Sequence, residues 1–127
     1  MRVRSMSVAL VGVLAFALVG TACGGSSGKS SSYKEPTGPA VDTVKLVAGN
    51  FFYRPKDSTT KSGIVAIQLK GEGVHTLVIQ GVPGFEMQVS NGQTQTKKVQ
   101  LKPGKHTIYC TLPGHRQSGM QGTITAT

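Results

Sequence analysis

Residues 99–127 read VQLKPGKHTIYCTLPGHRQSGMQGTITAT. Val99 and Leu101 point one way while Lys98, Gln100 and Lys102 point the other, the two-residue period of a half-buried strand. Pro103-Gly104 is a strong turn signal, and Lys105 to Cys110 forms the next strand. Gly122 to Thr127 forms the last. The segment between them carries two further turn signals, Pro113-Gly114 and Ser118-Gly119, able to fold it back on itself as a loop.

Working upstream, the same grammar repeats. Val41 to Val47 alternates, Phe51-Phe52-Tyr53 follows until Pro55 interrupts, and Ile64 to Leu69 alternates after Ser62-Gly63. Val74 to Ile79 is a short apolar run closed by Gly81. Short strands with frequent Gly and Pro turns, and no ten-residue stretch of helical period, predict an all-β sandwich or barrel. No internal repeat is visible.

The chain has 127 residues and 13.3 kDa, room for one small domain plus targeting sequence. Charged residues make up 15%, below the roughly 25% of ordinary globular domains. A chain of this size buries one modest core, which puts a large multi-helical enzyme out of reach.

Part of that inventory belongs to the N-terminus. Arg2 and Arg4 precede an apolar run from Val8 to Val19, too short to span a bilayer comfortably. Gly20-Thr21-Ala22 then leads into Cys23, a pattern similar to a bacterial lipoprotein signal, with Gly20 where Leu is usual. Residues 1–22 are expected to be a signal peptide and Cys23 the lipidated new N-terminus. An ordinary signal peptide cut after a small residue is the alternative. Gly24 to Ala40, GGSSGKSSSYKEPTGPA, lacks apolar periodicity and is expected to be a disordered tether with a reach on the order of 23 Å. Residues 41–127 remain as the domain.

Without Arg2 and Arg4, twelve basic side chains face five acidic ones, a mature charge of about +7. If Cys23 carries lipid, Cys110 has no partner for an intramolecular disulfide, and an exported lone thiol needs another explanation.

That explanation lies in Tyr109 to Met120, YCTLPGHRQSGM, where Cys110, His115 and Met120 are spaced C-x4-H-x4-M. A thiolate and a thioether suit copper, imidazole accepts both its oxidation states, and a weak axial Met goes with a trigonal His2Cys site. Zinc gains little from a neutral thioether, and calcium and magnesium want oxygen donors that no acidic cluster supplies. The second imidazole is expected from His75, which strand parity places with Leu77 and Ile79 on an inward face. A satisfied core histidine is the alternative reading of that residue. His106 shares a side with Ile108 and Cys110 but is not expected to ligate, and Met87 reads as core filler or rim.

These residues together resemble the cupredoxins, the type 1 (blue) copper proteins, over Val41 to Thr127. The resemblance rests on FFYRPKDSTTKSG, GVHTLVI and PGKHTIYCTLPGHRQSGMQGTITAT, and the loop spacing looks like the longer-loop rusticyanin-like and auracyanin-like members. It implies a Greek-key β-sandwich and one type 1 copper ion bound by His75, Cys110 and His115, with Met120 axial. It also implies that Thr76 and Thr111 hydrogen-bond across the two ligand segments, though ordinary β-propensity would place threonines there too.

The expected function is one-electron transfer between protein redox partners, with no enzymatic role. His115 is then the electron's exit, and Leu112 and Pro113 form an apolar docking patch. Arg116 and Lys97, Lys98, Lys102 and Lys105 are candidates to steer an acidic partner, unless they simply form a solvated face. The expected setting is the extracytoplasmic face of a bacterial membrane, with the lipid as anchor and the domain a monomer. A copper carrier or buffer would use the same ligands. A metal-free adhesion domain leaves the Cys110, His115 and Met120 spacing unexplained. Nucleic-acid binding is disfavoured because the basic residues are not interleaved with aromatics.

Overall fold

Alternating burial along short segments builds two facing sheets. The computed structural model describes residues 32–127, and every regular element among them is a strand. In chain order these are β1 (Asp42–Gly49), β2 (Phe52–Arg54), β3 (Asp57–Thr60), β4 (Gly63–Gly71), β5 (His75–Ile79), β6 (Glu86–Val89), β7 (Thr94–Leu101), β8 (Gly104–Tyr109) and β9 (Gln121–Ala126). One sheet has the order β2-β1-β4-β7 and the other β3-β9-β8-β5-β6. The chain therefore crosses between layers repeatedly, as in Greek-key sandwiches. Parallel pairs β1–β4 and β3–β9 make both sheets mixed.

The inward face of each strand supplies the core. Val44, Leu46, Val65, Ile67, Leu69, Val99 and Leu101 come from the first sheet, and Leu77, Ile79, Met87, Val89, Ile108, Ile124 and Ala126 from the second, all buried. Val99 and Leu101 point inward as their parity requires. Met87 is fully buried, settling it as core rather than rim. At Gly122 a Cβ would overlap the Lys56 carbonyl, so glycine there lets β9 approach the chain entering β3. That carbonyl accepts from the Thr123 amide at 3.0 Å.

Two strands escape the sequence pattern. In β3, Asp-Ser-Thr-Thr, only Thr60 is buried, and the strand exists because β9 offers it a parallel partner. In β6 the alternation of Glu86, Met87, Gln88 and Val89 is clean but only four residues long.

The N-terminal segment corrects one expectation. Residues 33–38 are not a free tether but lie against β7, the outer strand of its sheet. The Tyr33 hydroxyl donates to the Lys98 carbonyl at 2.9 Å, and the Lys98 amide donates to Glu35 Oε2 at 3.0 Å. Tyr33 also meets the buried Phe85 ring edge-on at 5.1 Å. One aromatic and one carboxylate thus satisfy edge groups of β7 that would otherwise be left open. Composition pointed to disorder because these anchors are only two residues in a Gly/Ser/Pro-rich stretch. Cys23, the expected signal peptide and residues 24–31 of the expected tether lie outside the described residues.

Candidate metal centre

Strand pairing brings the ligand segments together. β5 and β8 run antiparallel with Val78 opposite Tyr109, so the start of β5 and the end of β8 share one end of the sandwich. His75 opens β5 and Cys110 directly follows β8. The loop from Cys110 to Met120 is closed by its own backbone: Cys110 N donates to Met120 O at 3.1 Å, Met120 N to His115 O at 3.0 Å, and His115 N to Leu112 O at 3.1 Å. Gly114 and Gly119 take the left-handed conformations these turns demand, φ 80 and 103.

One ligand atom each from His75, Cys110 and His115 lie within 4.8 Å of one another. Cys110 Sγ is 3.6 Å from His115 Nδ1, and the two imidazole centroids are 5.3 Å apart. His75 is 1% exposed, Cys110 2% and Met120 0%, while His115 is only half-buried. The parity argument for His75 therefore holds, and the satisfied-core alternative does not. Both its ring nitrogens are buried without a well-formed hydrogen bond. A buried polar group without a partner is costly and calls for a cause.

A bound metal ion would supply that cause. Burial and the neighbouring His115 hold the His75 pKa below its ordinary 6.5, against a weaker opposing pull from the Glu72 backbone. The ring is therefore neutral near pH 7 and offers a lone pair. Gly73, at φ 119, leaves space beside it, since a Cβ there would sit 3.1 Å from Nε2. Thiolate, two imidazoles and a thioether form a donor set for copper rather than for an oxygen-seeking ion. Met120, fully buried, is bonded through its backbone to both Cys110 and His115. His75, Cys110, His115 and Met120 are arranged as a type 1 copper site.

Hydrogen bonds around the Cys110 sulfur hold it in place. The Thr76 amide donates to Cys110 Sγ at 3.5 Å, and Thr76 Oγ1 lies at the same distance. Thr76 Oγ1 also pairs with Thr111 Oγ1 at 2.7 Å and accepts from the Thr111 amide at 2.8 Å. Both threonines therefore stitch the β5 segment to the Cys110 segment, which β-propensity alone would not require. His106 stays out of the site, its Nε2 engaged with the Lys102 carbonyl at 2.7 Å.

The basic residues divide. Arg116 is at the copper end, its guanidinium 4.0 Å over the Tyr109 ring. Lys102 and Lys105 flank the β7–β8 turn, at the end of β8 away from Cys110. Lys97 Nζ donates to the Glu86 carbonyl and Lys98 Nζ to the Gly38 carbonyl, each at 2.9 Å.

Two contributors escaped the motif reading. The Tyr53 hydroxyl donates to the Thr76 carbonyl at 2.6 Å from the opposite sheet, and burial pushes its phenol well above the ordinary range. Phe51 sets its ring edge-on to His115, centroids 5.1 Å apart at 79°. The signal was the FFY run, whose three residues serve the rim, the outer face and the core in turn.

Comparison with known proteins agrees with this geometry. The family described as copper binding proteins, plastocyanin/azurin family, matches residues 68–127, which hold all four ligands. No match is found among curated protein sequences. Among solved structures, sodium-dithionite-reduced auracyanin from the photosynthetic bacterium Roseiflexus castenholzii is similar with a TM-score of 0.61 and 21% identity. The likeness covers 70% of this chain and 99% of that one. Auracyanin B gives 0.63 and 16%, over 76% and 96%. A chain of a heme-copper terminal oxidase dimer gives 0.57 and 19%, over 75% and 74%.

Proposed function

We propose that the described domain, whose fold is auracyanin-like and whose residues 68–127 match the plastocyanin/azurin copper-binding family, is a cupredoxin that carries single electrons between redox partners at the cell envelope. The observation that carries this reading is the unequal burial of the ligands. His75, Cys110 and Met120 are closed off, and His115 alone among the four reaches the surface.

Copper bound by this donor set supplies a one-electron couple. The protein's part is to keep that set in place while the charge changes. The Thr76 amide holds Cys110 Sγ from one side, and Tyr53 holds the Thr76 carbonyl in turn. Such bonds to a ligand's outer side fix its orientation and tune its donor strength. Four protein donors leave no position for a substrate, whereas catalytic metal sites keep one open, so the proposed role is not enzymatic.

Electrons leave and enter through the half-buried imidazole of His115. Beside it stands exposed Phe51, 46% accessible, and its own loop adds partly buried Leu112 and exposed Pro113. An apolar rim lets a partner exclude water and come close. Arg116 at its border favours an acidic partner. Lipid on Cys23 would hold the domain at the extracytoplasmic membrane face, as the leader sequence suggests.

Two measurements test this. Copper-loaded protein should show strong thiolate-to-copper visible absorption when oxidised and lose it on reduction. Oxidised and reduced copies should also exchange electrons rapidly. Ready release of copper without electron exchange would replace the proposal with a copper carrier or buffer.

A further inference from the structure

Asn50 and Phe51 form the two-residue turn between β1 and β2, beyond the last pair Gly49↔Phe52. Phe51 has φ 62, the one non-glycine residue with positive φ among the described residues. Gly or Asn is the ordinary occupant of a left-handed position in such a turn. For a bulky aromatic it is a true outlier. Burial offers no reason for the choice either. Phe51 is 46% exposed, whereas Phe85, a core phenylalanine, is 2% exposed.

Neither local conformation nor the core accounts for an aromatic here, but its contact does. The ring meets the imidazole of His115 edge-on at 5.1 Å. That imidazole sits on a loop whose backbone bonds fix the main chain, and among the described residues its one side-chain polar contact is Nδ1 to Cys110 Sγ. On one side the His75 ring lies 5.3 Å away, and the edge-to-face contact from Phe51 adds a second constraint on the ring plane. Strain kept in a sparsely populated backbone conformation beside a functional group points to a role for that residue.

We infer that Phe51 is a positioning residue: the left-handed turn at Asn50-Phe51 aims its ring to hold the His115 imidazole in one orientation for electron exchange. The last clause rests on the electron-carrier reading; the positioning itself does not.

The test compares wild type with Phe51→Asn and Phe51→Gly, which suit the turn but remove the ring, and Phe51→Tyr, which keeps it. In metal-free protein the Asn and Gly variants should melt at or above the wild-type temperature, because the turn is relieved and little core is lost. NMR relaxation of the His115 ring carbons should show added mobility in both, with wild-type rigidity in Phe51→Tyr. In copper-loaded protein, a reduced copy gives up one electron and an oxidised copy takes it. That exchange should slow about tenfold in Phe51→Asn and recover in Phe51→Tyr, a smaller effect than the roughly 100-fold that a 1 Å misplacement of a reacting group can cost. Unchanged His115 relaxation, or melting well below wild type in both Asn and Gly variants, would overturn the inference and make Phe51 a packing residue. Absence of electron exchange in wild type would instead overturn the carrier reading, leaving the positioning role to be decided by the relaxation data.

Discussion

Replacing Thr76 by Val keeps the side-chain shape but removes the hydroxyl that joins the two ligand segments. Three contacts go with it: the 2.7 Å pair with Thr111 Oγ1, the 2.8 Å bond from the Thr111 amide, and the 3.5 Å approach to Cys110 Sγ. A neutral hydrogen bond contributes roughly 0.5–1.5 kcal/mol net, so losing two good ones costs about 1–3 kcal/mol. Thr111 is itself exposed, and water can reach part of what it loses, which favours the lower half of that range. For a domain near 100 residues, each kcal/mol moves the melting temperature by about 4–8 °C. Metal-free Thr76→Val should therefore melt about 5–15 °C below wild type. Thermal denaturation of the metal-free protein reads this directly. In copper-loaded protein the thiolate absorption should also shift, because one of the groups facing the sulfur is gone while the Thr76 amide remains. A melting temperature within about 2 °C of wild type would refute the claim that this hydroxyl ties the segments together.

Cys110→Ser should abolish the visible thiolate-to-copper band, whereas His106→Ala should leave it intact because His106 is bonded to Lys102; absorption spectra of the two loaded variants decide both. Met120→Leu should raise the reduction potential, by voltammetry, more than it weakens copper binding, since a weak axial donor tunes the couple more than it holds the ion. The Asp42 carboxylate accepts from the Thr43 amide, the Thr60 hydroxyl and the Lys61 amide, bonds that hold its pKa below 3.8. Its contribution to stability is thus complete above that value and lost as pH falls below it, and denaturation curves of Asp42→Asn should lose that part of the acid dependence. Tyr33→Ala, which removes an edge-on aromatic contact and a hydrogen bond, should cost about 1–2 kcal/mol in urea denaturation. A free tether would show no change.

Much of the sandwich could be read without coordinates because burial on one face writes itself as alternation. Val99, Leu101 and the His75, Leu77, Ile79 set point inward as their parity demands. The polar strand β3 could not be read that way, since its partner β9 lies more than sixty residues further along the chain. The docking of Tyr33 and Glu35 on β7 was hidden for the same reason: what they meet is distant in sequence. The lysines illustrate the converse. Their charge was plain, but whether it faces a partner or a neighbouring carbonyl depends on packing.

Ligand identity is likewise a matter of residue chemistry, and the C-x4-H-x4-M spacing on a loop between strands already limits the metal to one that accepts sulfur and imidazole together. Which residues surround those ligands is not. Tyr53 bonding the Thr76 carbonyl across the sandwich, and Phe51 set against His115 from a strained turn, are contacts between segments that no local pattern connects. Side-chain chemistry and periodicity are local properties and survive in a linear string. Orientation, exposure and the company each ligand keeps arise only when distant segments are packed into one space.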